Sequence, residues 1–202
     1  LQRQLKRQCL VEIETKKKTK INMQISPLFL SFMAIENLNI NNQVIQNWCY
    51  KQYDRVSNRD YSVYFDFNEP ELQELYENVY NKINDIHKTF EFVDNSKQHI
   101  YMGWFNMNNT PYNSVPHVHE KAMFTAVYYA KIEEDAGAIE FLTPIAALEY
   151  IIFPEMIKNY NVFNSSKWKY KPKTGDLIVF PSWLLHYVTP TSNIHNDNRF
   201  AL

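Results

Sequence analysis

Two periodicities divide the chain. Up to about residue 90 the apolar positions recur every three and four residues; from His99 onward they alternate. Val44, Ile45, Trp48, Cys49 and Tyr53 fall close to helical spacing and predict a helix over 41–53, with Asn41 or Asn42 as its N-cap. A second helix is predicted from Asn68-Glu69-Pro70-Glu71, which reads as a capping box with proline in the first turn. Its stripe is Leu72, Leu75, Val79, Ile83, Ile86 and Phe90, and His87 near its end reads as a helix-terminus cation. Each helix has one apolar face that must lie on something, most economically a sheet. Before them, 25–30 is the first segment that reads as folded, as a strand.

Strands follow. His99 to Met107 is strand-like, 108–111 is a turn, and Phe124 to Ile132 is a strong strand that sets Thr125, Val127 and Tyr129 on one face and Tyr128 on the other. A polar turn over 133–137 precedes Glu140-Phe141-Leu142. Ile145 to Tyr160 reads as a lid or crossing loop interrupted by Pro154, and 168–171 alternates. The turn Thr174-Gly175-Asp176 launches Leu177 to Phe180, a run buried on both faces that Pro181 ends by removing a donor. Helices first and short strands afterwards predict an α+β, mainly β domain whose C-terminal half is a sandwich or barrel.

Composition narrows the field. With 202 residues and 45% of them hydrophobic, one domain can hold a substantial core. A net charge of -1 gives no pull toward nucleic acid or anionic lipid, and no apolar run suits a bilayer, so an intracellular, cytoplasmic protein is expected. The 3 glycines exclude phosphate-cradling loops, and Cys9 and Cys49 form neither a CxxC pair nor a disulfide framework. Residues 1–22 are polar and basic, without interleaved aromatics, and read as a solvated tail; Met23 reads as the natural start. The expected organisation is a tail over 1–22 and one domain over 23–202, with its supporting helices in 23–95 and its strands in 96–202.

Three positions carry candidate chemistry. His186 follows the buried strand in aromatic surroundings, where packing fixes the ring; the pattern suits a metal ligand and equally a satisfied core histidine. In Pro116-His117-Val118-His119 the two histidines project to one side of an extended chain and reach one ion, or stand as two polar strand-edge residues. Arg199, expected on a strand that pairs back beside the distal histidine, offers a planar fork for a carboxylate, or an ordinary surface pair with Asp197. His195, in an Asn-rich loop, reads as solvent-exposed.

The order Trp104…Asn106, Pro116-His117-Val118-His119, Thr125-Ala126-Val127-Tyr128-Tyr129, Gly175-Asp176-Leu177-Ile178-Val179-Phe180-Pro181-Ser182-Trp183…His186 and Arg199 resembles the 2-oxoglutarate/Fe(II)-dependent oxygenases of marine phage and bacterial genomes, relatives of prolyl 4-hydroxylases. The match covers about the last half of the chain. It implies a double-stranded β-helix (jelly roll) with N-terminal helices on its major sheet and iron at the open end. It further implies His117 and His186 as iron ligands, His119 as the third, and Arg199 on the distal carboxylate of 2-oxoglutarate. Tyr129 is the expected second co-substrate contact; Trp104, Trp183 and the segment Ile145 to Tyr160 are expected as substrate wall and lid. The co-substrates are 2-oxoglutarate and O₂, the products succinate, CO₂ and an oxidised C–H position.

One position departs from the pattern, since the wider superfamily uses His-x-Asp/Glu and here residue 119 is histidine. Three neutral imidazoles leave Fe(II) its full double charge, which favours anionic co-substrates. The same histidines suit a cupin-like three-histidine dioxygenase that works without 2-oxoglutarate, and a jelly roll can also be a non-catalytic binding or structural module. Neither substrate nor oligomeric state is written in the sequence.

Overall fold

The computed structural model describes residues 31–53, 62–92, 99–108, 114–134, 136–145, 147–190 and 199–202. The basic tail, Met23, the strand expected at 25–30, Cys9, His195 and Asp197 lie outside them.

The chain runs β1 (Ala34–Asn37), α1 (Asn42–Tyr53), β2 (Val63–Tyr64), a 3-10 turn (Pro70–Leu72), α2 (Gln73–Thr89), β3 (Trp104–Asn108), β4 (Phe124–Ile132), β5 (Ile139–Leu142), α3 (Leu148–Ile151), a second 3-10 turn (Pro154–Met156), β6 (Lys167–Tyr170), β7 (Asp176–Pro181), β8 (His186–Val188) and β9 (Arg199–Ala201). Two antiparallel sheets result, ordered β1-β7-β4-β9-β3-β2 and β6-β5-β8. A bridge between His117 and His186 adds the chain ahead of β4 to the smaller sheet. This is the α+β, mainly β jelly roll that the sequence led us to expect.

The larger sheet is covered on both faces, which accounts for the apolar run of β7, buried along its whole length. On its outer face α1 seats Ile45, Trp48, Cys49 and Tyr53 among Phe105, Tyr128, Leu177 and Phe200. Trp48 crosses Phe65 and Phe105 edge-on at 5.4 and 5.5 Å. Truncating so buried an indole costs roughly 3–5 kcal/mol. Burial pushes the Cys49 thiol up to about 12, so it stays protonated as a core residue. On the inner face Tyr129, Ile178, Phe180 and Ala201 meet Ile139 and Phe141 of the smaller sheet. Alternation along β4 thus sends Tyr128 to the helices and Tyr129 into the barrel.

Several boundaries differ from expectation. Asn41 caps α1, its Oδ1 accepting the Gln43 N–H at 3.2 Å, but Val44 is exposed. No capping box forms at Asn68–Glu71: the chain enters α2 through a 3-10 turn without a side-chain cap, and Asp66 Oδ1 takes the Asn68 N–H at 3.0 Å instead. His87 stands in the last turn of α2 as expected and is buried there, its ring 4.9 Å from that of Phe92. β3 begins only at Trp104; Gly103 just before it lies against the rings of Phe65 and Phe67 with no room for a Cβ. No helix among the described residues is long and apolar enough to cross a membrane.

Candidate metal centre

The turn Thr174-Gly175-Asp176 forms as expected, with Gly175 at φ +89°. Asp176, buried at the start of β7, accepts from the Tyr170 hydroxyl (2.6 Å), the Lys173 N–H (2.7 Å) and Asn37 Nδ2 (2.9 Å). With that end of β7 pinned, its other end delivers a tight turn in which the Leu184 N–H bonds the Pro181 carbonyl at 2.9 Å. The turn works twice. It brings His186 onto β8 opposite Phe141, and it presents the Ser182 carbonyl to the His119 N–H at 2.9 Å. His117 reaches the same place by exchanging both backbone hydrogen bonds with His186, at 2.9 and 3.1 Å.

The three imidazoles therefore converge at one end of the barrel, each offering a ring nitrogen within 4.8 Å of the others. His117 Nδ1 lies 2.8 Å from the Val115 carbonyl, and His186 Nδ1 2.8 Å from that of Leu184. A carbonyl only accepts, so both Nδ1 atoms carry the proton and both Nε2 lone pairs are free. His119 Nε2 stands 3.2 Å from His186 Nε2. Two nitrogens each about 2.1 Å from a shared ion stand on the order of 3 Å apart. Burial, reinforced by the neighbouring His117, holds the His119 imidazole down at about 4. Burial likewise holds His186 down at about 4, against the opposing hydrogen bond to Leu184. Both are neutral ligands at neutral pH. The donor set fits a divalent transition metal, and the expectation that these three histidines meet is met in space.

Arg199 is 3% exposed, yet its Nε and Nη1 have no hydrogen-bond partner among the described residues, and neither has the buried hydroxyl of Tyr129. The guanidinium lies 5.2 Å from the centre of the Tyr129 ring. Burial pushes the Tyr129 phenol up while the arginine pulls it down. Arg199 pairs with β3 and β4 in the larger sheet rather than beside His186: registers Asn108↔Arg199 and Ile132↔Arg199 set it across the barrel from β8. A cavity of about 740 Å³ is lined by the three histidines, Tyr129 and Arg199, and continues outward past Trp104 to Tyr76 of α2. Among the described residues no carboxylate pairs with this buried cation, and a guanidinium beside a buried phenol is a donor set suited to an anion. It fits a dicarboxylate that also reaches a metal.

Trp104 lines the cavity, its ring 5.1 Å from His119. Trp183 does not line it and is 53% exposed. The segment expected as a lid or crossing loop folds as α3 and a 3-10 turn, with Tyr150, Ile151, Phe153, Met156 and Tyr160 exposed, and none of its residues lines the cavity. Sequence reasoning passed over three serines and threonines that hold the site. Ser114 Oγ accepts the Val188 N–H at 2.6 Å, and Thr125 and Ser182 share a buried hydroxyl contact at 2.8 Å. Small hydroxyls carry no periodic signal; only the position of Ser182 inside the Gly-Asp…Phe-Pro-Ser-Trp block hinted at one.

The protein family described as "Putative 2OG-Fe(II) oxygenase" matches residues 102–201. A solved structure of a Pseudomonas putida prolyl-4-hydroxylase is similar, with a TM-score of 0.54 and 12% identity over 84% of this chain and 88% of that one. Another similar structure is HygX from Streptomyces hygroscopicus with iron bound, at a TM-score of 0.48 and 10% identity over 85% of this chain and 80% of that one. No curated protein matches the sequence. The prolyl-4-hydroxylase likeness bears on the fold, and the family match bears on the site. Residues 102–201, which carry the three histidines, Tyr129 and Arg199, are the part of this chain that matches the 2OG-Fe(II) oxygenase family.

Proposed function

We propose how this Fe(II)- and 2-oxoglutarate-dependent dioxygenase assembles its centre: His117, His119 and His186 hold the iron, and Arg199 with Tyr129 takes the distal carboxylate of 2-oxoglutarate. The chemistry that the bound metal and co-substrate supply is oxidation of a C–H bond by O₂, coupled to decarboxylation of the 2-oxo acid to succinate and CO₂. The chain's own residues orient and exclude. Backbone carbonyls fix the tautomers of His117 and His186. The Tyr129 hydroxyl and the Arg199 fork point donors at one carboxylate, and Val127, Ile139 and Val188 wall the chamber against water.

The observation that carries this reading is the buried Arg199, whose Nε and Nη1 find no partner among the described residues, in the cavity that the histidines share. An oxygenase working on iron and substrate alone has no use for a desolvated guanidinium, which costs several kcal/mol unless an anion meets it. The test is anaerobic Fe(II) loading followed by titration of 2-oxoglutarate, watching for the visible charge-transfer band of the chelate. The band is expected in the wild type and absent in His186→Ala. Iron binding without a band would move the three-histidine dioxygenase without 2-oxoglutarate to first place.

A further inference from the structure

Alternation along β4 turns Phe124, Ala126 and Tyr128 toward the helices and Thr125, Val127 and Tyr129 into the barrel. Tyr129 stands beside Arg199 at one end of that inner row. Thr125, at the other end, is 7% exposed and lines the cavity that the histidines share. Its neighbours put it on the metal side. It pairs with Phe180, whose ring lies 4.8 Å from that of His186, and its Oγ1 is 2.8 Å from Oγ of Ser182, the residue whose carbonyl takes the His119 N–H.

Two hydroxyls bring two protons, and the contact between them uses one. Among the described residues neither hydroxyl has a second hydrogen bond. Where the other proton ends depends on which hydroxyl donates. If Thr125 donates, the remaining proton belongs to Ser182, which is 0% exposed and does not line the cavity, so a buried donor is left without an acceptor. If Ser182 donates, the remaining proton belongs to Thr125 and faces the cavity. The second arrangement is the lower in energy, and it makes Thr125 an oriented O–H donor at the metal end.

The acceptor has to arrive with a ligand, since among the described residues no carboxylate joins the three histidines. The inner row of β4 describes that ligand: a hydroxyl at Thr125, an apolar side chain at Val127 and a hydroxyl at Tyr129, all lining one cavity. Polar ends around an apolar middle match a dicarboxylate joined by methylenes. Building on the oxygenase reading above, we propose that Thr125 is a further co-substrate-binding residue: its hydroxyl, oriented by Ser182, donates to the carboxylate of 2-oxoglutarate at the metal end, opposite the carboxylate assigned to Arg199 and Tyr129.

The test is calorimetry on full-length, Mn(II)-loaded protein with 2-oxoglutarate and with oxalate, which carries a chelating end like that of the 2-oxo acid and lacks the distal carboxylate. Thr125→Val keeps the shape and removes the donor, whereas Thr125→Ser keeps the hydroxyl. Because Thr125→Val deprives Ser182 of its partner, Thr125→Val/Ser182→Ala removes both hydroxyls together, a change close to neutral for folding. Both variants without the Thr125 hydroxyl are expected to bind Mn(II) as the wild type does and to bind each ligand at least about tenfold more weakly, with Thr125→Ser within about threefold of wild type. Unchanged affinities overturn the proposal. So does a loss for 2-oxoglutarate with none for oxalate, or a loss in Thr125→Ser as large as in Thr125→Val. A wild type that binds Mn(II) and oxalate but not 2-oxoglutarate defeats the oxygenase reading separately, while the oxalate comparison still decides whether Thr125 donates to a chelated carboxylate.

Discussion

His119 and His186, 67 residues apart in the chain, place their Nε2 atoms 3.2 Å apart, and among the described residues no carboxylate joins them in the metal-ligating cluster. A metal held by three neutral imidazoles keeps its full charge toward whatever anion enters. Replacing His119 by Asp restores one negative charge at the metal. A unit charge several Å from an incoming carboxylate, at an effective dielectric constant of about 20, is worth a few kcal/mol before compensation. The expected outcome for His119→Asp is retained Fe(II) binding with 2-oxoglutarate affinity lowered about tenfold, measured by anaerobic calorimetry. Unchanged or tighter co-substrate binding would show that charge at this position does not govern it.

Arg199 sets binding against stability. Its buried Nε and Nη1 find no acceptor among the described residues, so the metal-free fold bears a desolvated charge. Arg199→Met keeps much of the volume and removes the charge. The melting temperature of the unliganded protein should rise by roughly 2–6 °C, while 2-oxoglutarate binding falls at least a hundredfold. In the wild type already loaded with Mn(II), 2-oxoglutarate at a hundred times its dissociation constant should add about 2.7 kcal/mol, a gain that the variant loses for the most part at the same concentration. Thermal melts of the unliganded protein, and of the Mn(II)-loaded protein with and without 2-oxoglutarate, measure both.

The parts of this architecture that were legible in the sequence are those fixed by local chemistry. A run buried on both faces, ended by proline, gave β7, and a two-residue spacing put Tyr129 inward and Tyr128 outward. The two helices showed through their stripes. What remained hidden depends on contacts between distant segments. β1 is four residues long and owes its existence to pairing with β7, with Ala34 opposite Val179. The strand expected from His99 starts only at Trp104, where pairing with β2 begins, Tyr64 opposite Trp104. The capping box at Asn68–Glu71 does not form, and Asn68 is held by Asp66 instead, whose Oδ1 accepts its N–H at 3.0 Å and its Nδ2 at 2.8 Å. At the site, the residue types announced the chemistry, but which sheet holds Arg199 follows from strand order alone.

Gly137 tests the seam next to the smaller sheet. A Cβ added there would stand 1.9 Å from the Thr189 carbonyl oxygen, a backbone atom that cannot rotate away. The same region joins Ala138 to Thr189 through the Thr189 N–H and the Ala138 N–H, at 2.8 and 2.9 Å. Gly137→Ala must therefore break a ladder that positions β8 and, with it, His186. A loss of about 3 kcal/mol or more is expected in urea unfolding, together with weaker metal binding. Stability within 0.5 kcal/mol of wild type would mean that the seam is looser than this packing requires.

The histidines also fix how the metal-free protein responds to acid. Folding lowers His119 and His186 from the ordinary 6.5 to about 4, burial being the leading cause for each. Above pH 6.5 both are neutral whether folded or not and contribute nothing. Between pH 6.5 and about 4 the unfolded chain takes up protons that the folded chain declines, so stability falls as pH falls, and below about 4 the difference is constant. For His186, which is buried, a shift of this size corresponds to about 3 kcal/mol; the half-exposed His119 adds less. Carboxylates titrate near the lower end of the same window, so the wild type must be compared with His119→Gln/His186→Gln in urea unfolding at pH 7.5, 6, 5 and 4. The two curves should converge on acidification, the variant losing less, and parallel curves would mean that these imidazoles are solvated well enough to accept protons in the folded state.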